Sequence, residues 1–310
     1  MGSVFGELPA DTKLQIETNQ KSYFQSLSEN LVKIAKQGEE LKKVIDSPDF
    51  QYISKTATIS ASRSSSKELH NNLSSLIAQR INSDNEDLKR IVYDEAISTI
   101  GKLTTDQLKI ICLCYLLRYT MYQGIVSWGA YNNYFNANIK PFLSFKNTEA
   151  EFQHIEYSGC GSVGIGNWDF IRIHKSQYSF LFLNLVEREQ IDNLSLADEI
   201  IREVVSLDLK ENKYFIRFKH KKDLEKYLNE KRIDDETAKL FISIYESHIK
   251  SDDEIRKKIA EETDVGKLLL QVWEESRLKY LSLTSVGIVI GASYFEQVTN
   301  EKIDISIWIN

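Results

Sequence analysis

Cys160 sits in the run Gly159-Cys160-Gly161-Ser162-Val163-Gly164, six residues after His154. A cysteine becomes a nucleophile when a neighbouring base or positive charge lowers its pKa. A hairpin joining residues 152–157 to 162–165 would bring the His154 imidazole towards the thiol. The sequence supplies no third group to orient that base, and cysteine among apolar neighbours commonly serves packing, so a structural Cys160 is expected. The same run has G-x-G-x-x-G spacing. A dinucleotide site needs a hydrophobic strand before the glycines and a helix start after them, so that free N–H groups meet the pyrophosphate. Here FQHIEY is short and polar and 162–165 reads as a strand, so the expectation is a glycine-rich turn between two short strands.

Asp208-Leu209-Lys210 could form half of a metal-dependent nuclease motif, which needs a further acid on a neighbouring strand to hold Mg²⁺; no such strand is evident. Cys112 and Cys114 stand two apart on an expected helix and so do not share a face. The five histidines show no zinc-type spacing, and neither a metal nor a cofactor is expected. Lys213, Arg217, Lys219, Lys221 and Lys222 form the densest basic stretch, interleaved with Tyr214, Phe215 and Phe218. Cations there could contact phosphates and the rings could stack on bases. Asp208, Glu211, Asp223 and Glu225 flank the stretch, so a solvated edge is the plainer reading. Arg63 and His70 resemble the arginine–histidine element of helical HEPN ribonucleases, which acts on an RNA 2′-OH and phosphate. The polar residue that follows the arginine in that family would be Asn, Asp or His; here it is Ser64.

The elements that must hold these residues are mostly helical. The chain has 310 residues, 42% hydrophobic and 27% charged, with only three prolines. That is ordinary globular composition, and scarce proline suits long helices. A net charge of −6 argues against a whole-surface grip on nucleic acid or anionic lipid. Three cysteines make no disulfide framework. No signal peptide is apparent and the most apolar run, 110–117, is far short of a membrane span. A cytoplasmic protein with no membrane partner is expected.

Phe24, Leu27, Leu31, Ile34, Leu41 and Ile45 follow an a/d heptad spacing through Gly38. This stripe predicts a long N-terminal helix that packs on the chain's own bundle, on a protein partner, or on a second copy to give a homo-oligomer. Ser47-Pro48 predicts a helix start, while 54–66 reads as a weak helix or an exposed connection. Ser65 with Glu68, Ser83 with Glu86, Thr104 with Gln107 and Ser251 with Glu254 predict capping boxes. The helix 108–122 is apolar on most faces and should be the buried centre. Residues 128–145 suggest irregular packing. Strands are expected at 152–157, 162–165 and around Tyr214–Ile216–Phe218. Ile303, Ile305, Ile307 and Ile309 alternate like a half-buried terminal strand. The fold class is thus α-rich α+β, a helical bundle with a few short strands. The expected division is an arm at 1–46, a bundle with a small β-hairpin at 47–190 and a helical part at 191–310. In that last part, LTSVG, a helix and a strand are similar to the end of a winged-helix module, which reads DNA with a recognition helix. The helix 285–297 has neither Lys nor Arg, which would make it a protein-docking version.

DFQY (49–52), LTTDQLKIICLCYLLRYT (103–120), IEYSGCGS (155–162), QYSFLF (177–182), LTSVGIVIG and the terminal DISIWIN together resemble an uncharacterised family of helical bacterial proteins. The likeness runs from about residue 49 to the end and leaves the first 46 residues outside. It implies no known activity and no catalytic residues to carry over. It does imply the setting in which such families occur, bacterial antiviral defence or mobile loci. The expected function is a non-enzymatic interaction or regulatory protein, an accessory of a bacterial defence system. The alternatives are a nucleic-acid-binding module using 213–222, and a ribonuclease or hydrolase using Arg63 and His70 or Cys160.

Overall fold

The computed structural model describes residues 8–32, 34, 38–82, 87–218 and 220–309. In chain order the helices α1 (Ala10–Leu31), α2 (Gly38–Ile45), α3 (Pro48–Ser62), α4 (Lys67–Asn82), α5 (Asp87–Ile100), α6 (Thr105–Arg118), α7 (Trp128–Tyr134) and α8 (Glu149–Tyr157) precede strand β1 (Gly161–Val163). Then come α9 (Phe170–Gln177), α10 (Arg188–Asp192), α11 (Asp198–Val204), strands β2 (Val205–Asp208) and β3 (Lys213–Ile216), and α12 (Lys221–Glu230). The chain closes with α13 (Asp235–Ser247), α14 (Asp252–Glu262), α15 (Gly266–Glu275), β4 (Leu281–Leu283), α16 (Ser285–Thr299) and α17 (Ser306–Ile309). This is the α-rich fold with short strands that the sequence predicts.

The chain forms two compact units, and each is discontinuous. One comprises Met1–Thr120, Ala137–Gly166 and Ser276–Asn310; the other comprises Met121–Asn136 and Asn167–Glu275. These boundaries differ from the consecutive segments 1–46, 47–190 and 191–310, because β4 and α16 return to the first unit after the second is complete.

In the first unit, α6 is the centre: every residue from Gln107 to Leu117 is buried except Lys109. Its start is the predicted capping box, with Thr104 Oγ1 accepting from Gln107 N–H and Gln107 Oε1 accepting from Thr104 N–H. The helix α16 lies along α6 and is buried from Gly287 to Phe295. Gly291 permits that approach, since a Cβ there would stand 3.0 Å from the Tyr115 Cβ. A helix buried from Gly287 to Phe295 has no free recognition face for a DNA groove, and the segment after it is not a strand. The winged-helix expectation fails on both counts.

The N-terminal stripe is divided among two helices. The α1 residues that are buried are Asn19, Tyr23 and Ser26, not the heptad seam; Phe24 is half-exposed, and Leu27, Leu31, Leu41 and Ile45 are half-buried. Ile34 is buried. Polar bonds tie α1 to its neighbours. Asn19 Nδ2 donates to Ser62 O at 3.0 Å, Ser26 Oγ to Asn71 Oδ1 at 2.7 Å, and Asn30 Nδ2 to Ser74 Oγ at 2.8 Å. Seen from the sequence, those polar residues read as a solvent face; in the bundle they are the contact face.

Ser47 caps α3 through Phe50 N–H with Pro48 in the first turn, as predicted, and 54–62 is helix, with Ala57 and Ala61 buried. Ser66, one residue beyond the predicted Ser65, caps α4 by accepting from Leu69 N–H. Glu68 is thereby free of the cap and accepts from Thr105 Oγ1 at 2.6 Å and Tyr294 OH at 2.7 Å. The Ser83–Glu86 box lies outside the described residues. Residues 152–157 form the second half of α8, not a strand, because Phe152 and Ile155, three apart, are the buried pair. The terminal isoleucines behave likewise. Ile305 and Ile309, four apart, are buried and Ile307 is 75% exposed, so one helical face, not a strand face, is apolar. Asp304 Oδ1 accepts from Ser306 N–H and starts that turn.

The second unit has its own core around Val186, Val204, Ile216, Leu224 and Phe241. The strand predicted at 214–218 is β3, paired antiparallel to β2 with Val205 opposite Ile216. The predicted Ser251–Glu254 box caps α14. Residues 128–145 are more regular than expected: α7 leads into a π turn at Phe135–Ile139. Among the described residues, no helix is long and apolar enough to cross a membrane.

Candidate functional site

The glycine run joins α8 to β1, and its geometry is a helix cap. Gly159 has φ +76°, its N–H donates to Glu156 O at 3.0 Å, and Cys160 N–H donates to Ile155 O at 3.1 Å. This pair of bonds is the Schellman motif, in which a glycine takes the left-handed position and the next residue packs back on the helix. Cys160 and Ile155 are both fully buried. From there β1 runs antiparallel to β4, with Ser162 opposite Ser282. Thr284 fastens the corner: its N–H donates to Cys160 O at 3.1 Å and its hydroxyl to Gly159 O at 2.6 Å. Gly287 admits the corner to the first turn of α16, since a Cβ on it would fall 1.9 Å from Cys160 O.

This arrangement sets the surroundings of Cys160. Its side chain is sealed in the core, and burial pushes the thiol pKa up, away from the thiolate a nucleophile needs. His154 Nδ1 instead pairs with Gln107 Oε1 at 3.1 Å, and so supports the α6 cap. Because that oxygen is an acceptor, Nδ1 must carry the proton. Burial also raises the thiols of Cys112 and Cys114. All three cysteines should therefore resist an aromatic disulfide reagent in the native protein and react together in denaturant. Rapid native labelling of Cys160, followed by mass spectrometry, would contradict its sealed position.

The remaining candidates also have structural duties. His70 is buried; Nε2 faces Ala61 O at 3.1 Å and Ser64 O at 2.8 Å, while Nδ1 faces Ser22 Oγ at 2.9 Å. Two carbonyl partners require the proton on Nε2. The ring thus ties the end of α3 to α1, and Arg63 stands exposed at the α3 C-cap. Asp208 Oδ1 accepts from Lys210 N–H and Glu211 N–H, both at 2.9 Å, and shapes the β2–β3 turn. In the basic stretch Lys213 is paired with Glu187, and Lys221 with Glu246 at 2.6 Å; these bonds hold both ammonium pKa values above their usual range. Arg217 and Lys222 are exposed, and Lys219 lies outside the described residues. Among the described residues, no group of three or more His, Cys, Asp or Glu side chains is placed to hold a metal ion.

What the corner does present is apolar surface. Beyond β1, Gly164 N–H still bonds Tyr280 O at 3.1 Å, and then Ile165 is fully exposed. At the other end of the corner, Tyr157 closes α8 with 88% of its surface exposed. Val163 N–H donates to Glu156 Oε1 at 3.2 Å, which ties the two ends together. The sequence reading missed both residues. The signal for Ile165 was its place between Gly164 and Gly166, where an apolar side chain has no neighbouring side chain to cover it.

No curated protein and no solved structure matches the chain. A protein-family model matches residues 3–309. The match takes in α1, which the local likeness from residue 49 onward had left outside; the hydrogen bonds from α1 to α3 and α4 make it part of the same bundle. The chain belongs to this family, one of uncharacterised nature, along nearly its whole length.

Proposed function

We propose that the protein is a non-enzymatic interaction protein that docks a protein partner on the α8–β1 corner, and that it works as an accessory in bacterial defence. The observation that carries this reading is the pair of exposed side chains, Tyr157 and Ile165, on one corner held by the Schellman bonds and the β1–β4 ladder. Single exposed apolar residues are ordinary on any surface. These two flank one tethered corner, and covering them would contribute roughly 1.5–3 kcal/mol for each side chain fully buried. The structural duties of Cys160, His154 and His70 support the same reading, as does the pairing of Lys213 and Lys221 with carboxylates.

The test compares tagged wild type with Tyr157→Ser/Ile165→Asp after expression in the native host. Light scattering of each purified protein at ~50 μM, above the micromolar affinity scale, separates a second copy of this chain from a foreign partner. We expect a defined protein to co-purify with wild type and to be lost with the variant, while circular dichroism is unchanged. The same proteins recovered with both would sink the proposal. So would a dimer that forms equally in both and recruits nothing else; self-association would then belong to the α1 stripe and its half-exposed Phe24.

A further inference from the structure

In the first unit, a cleft of about 180 Å³ opens between the end of α4, the start of α5, the second half of α16 and the segment leading into α17. Four charged side chains line it: Lys89, Lys302, Glu296 and Asp304. Neither ammonium has an ion pair or hydrogen bond among the described residues, unlike Lys213 and Lys221 in the second unit's basic stretch. Glu296 has one carboxylate oxygen engaged and one to spare among the described residues, while Ser306 bonds the Asp304 carboxylate through both its backbone and its side chain. Glu296 Oε2 accepts from Gln79 Nε2 at 2.9 Å, and Asp304 Oδ1 accepts from Ser306 N–H at 2.9 Å. The buried Tyr93 also lines the cleft, and its hydroxyl has no hydrogen-bond partner among the described residues.

These groups face a common space. Burial, then the nearby charges of Glu296 and Asp304, push the Tyr93 phenol up to about 12, so both carboxylates act on that ring. The Ser306 bonds hold the Asp304 carboxyl below its usual range, and Lys89 and Lys302 add to the effect. The four formal charges cancel. A simple anion entering the cleft would meet two carboxylates, and a simple cation would meet two ammonium groups. A ligand that carries both signs meets neither penalty, because each of its ends finds an unsatisfied partner. The cleft has room for roughly a dozen waters, enough to admit a free amino acid.

We infer that this cleft binds a small zwitterion of the free amino-acid class. Its carboxylate lies against Lys89, Lys302 and the Tyr93 hydroxyl, and its ammonium against the free oxygen of Glu296 and the carboxylate of Asp304. One wall is residues 302–306, so the ligand bridges the segment leading into α17 to α5 and α16.

The test is titration calorimetry of the full chain with each of the standard L-amino acids at constant ionic strength. The N-acetyl derivative and the decarboxylated amine of any hit serve as half-ligands. We expect at least one amino acid to bind, both half-ligands to lose at least tenfold in affinity, and Lys89→Gln/Lys302→Gln to lose at least tenfold as well. Both lysines lack partners, so the double variant should fold; Glu296→Gln, which preserves side-chain shape, is a second and independent loss-of-binding variant. No heat with any amino acid overturns the inference. Equal binding of the N-acetyl derivative would make this an anion site and overturn it too, as would full affinity in both variants. None of these outcomes touches the α8–β1 corner, whose test is separate.

Discussion

Arg80→Ala should lower the stability of the first unit by about 3–5 kcal/mol, the usual cost of removing one member of a buried ion pair. The Arg80 side chain is 3% exposed on α4. Its guanidinium holds Asp94 on α5 through Nε and Nη2, and Asp49 at the start of α3 through Nη2. It also lies 5.6 Å from the Phe50 ring centre. One side chain therefore fixes three helices, and Asp49 and Phe50 come from the DFQY run that marks the family likeness. Truncation leaves a cavity and strips the partly covered Asp94 of its partner. Asp49→Ala should cost no more than about 1 kcal/mol, because its carboxylate is half-exposed and water can replace the arginine. Urea unfolding followed by far-UV circular dichroism measures both. A loss below ~1 kcal/mol for Arg80→Ala would mean that the triad is ornamental to the bundle.

The second large effect is a pH dependence in the second unit. His174 is buried among Tyr131, Phe135, Phe170 and Tyr178. Its Nδ1 pairs with Tyr131 OH at 3.0 Å, and Nε2 is buried without a hydrogen-bond partner among the described residues. Burial pushes the imidazole pKa down to about 3, against ~6.5 for an exposed histidine. Between those values the unfolded chain binds a proton that the folded ring refuses. The stabilising contribution is therefore complete above pH ~6.5 and is lost as the pH falls towards 3. Between pH 7 and pH 5 this histidine alone should remove about 2 kcal/mol. His174→Phe abolishes the titration, although it leaves the Tyr131 hydroxyl without its partner and so lowers stability at every pH. The decisive quantity is the slope: urea midpoints of wild type should fall more steeply than those of His174→Phe between pH 7 and pH 5. Parallel slopes would show that the ring is protonated, or reached by water, in the folded state.

Much of the fold is written in local sequence. Thr104 with Gln107, Ser251 with Glu254 and Ser47 with Pro48 start helices as predicted, because a cap is satisfied by groups three residues away and needs no tertiary partner. The unbroken apolar run of α6 likewise marks the centre of the bundle, since no orientation would leave such a helix one wet face. The α-rich class with short strands follows from these signals. Periodicity was a weaker guide in short stretches. A few residues of FQHIEY or of the terminal isoleucines fit both a two-residue and a near-four-residue repeat, and packing chose the helical one at both places.

The candidate sites divide differently. Sequence alone fixed which side chains could be reactive and where the glycines fell. It could not fix what those side chains would touch, because their partners lie far along the chain: His154 meets Gln107, His70 meets Ser22, and Cys160 meets Thr284 and Gly287. Those meetings give all three side chains partners that no local pattern announces. The reverse holds for Lys89, Tyr93, Glu296, Lys302 and Asp304, which show no motif. They come from two stretches some two hundred residues apart in sequence and share a cleft only because α16 packs against α5. Hydrogen bonds, burial and charge act through space over a few ångströms. Local sequence therefore determined where helices begin and which faces are apolar, and only the tertiary structure decided which polar groups were satisfied, which were sealed, and which were left facing solvent.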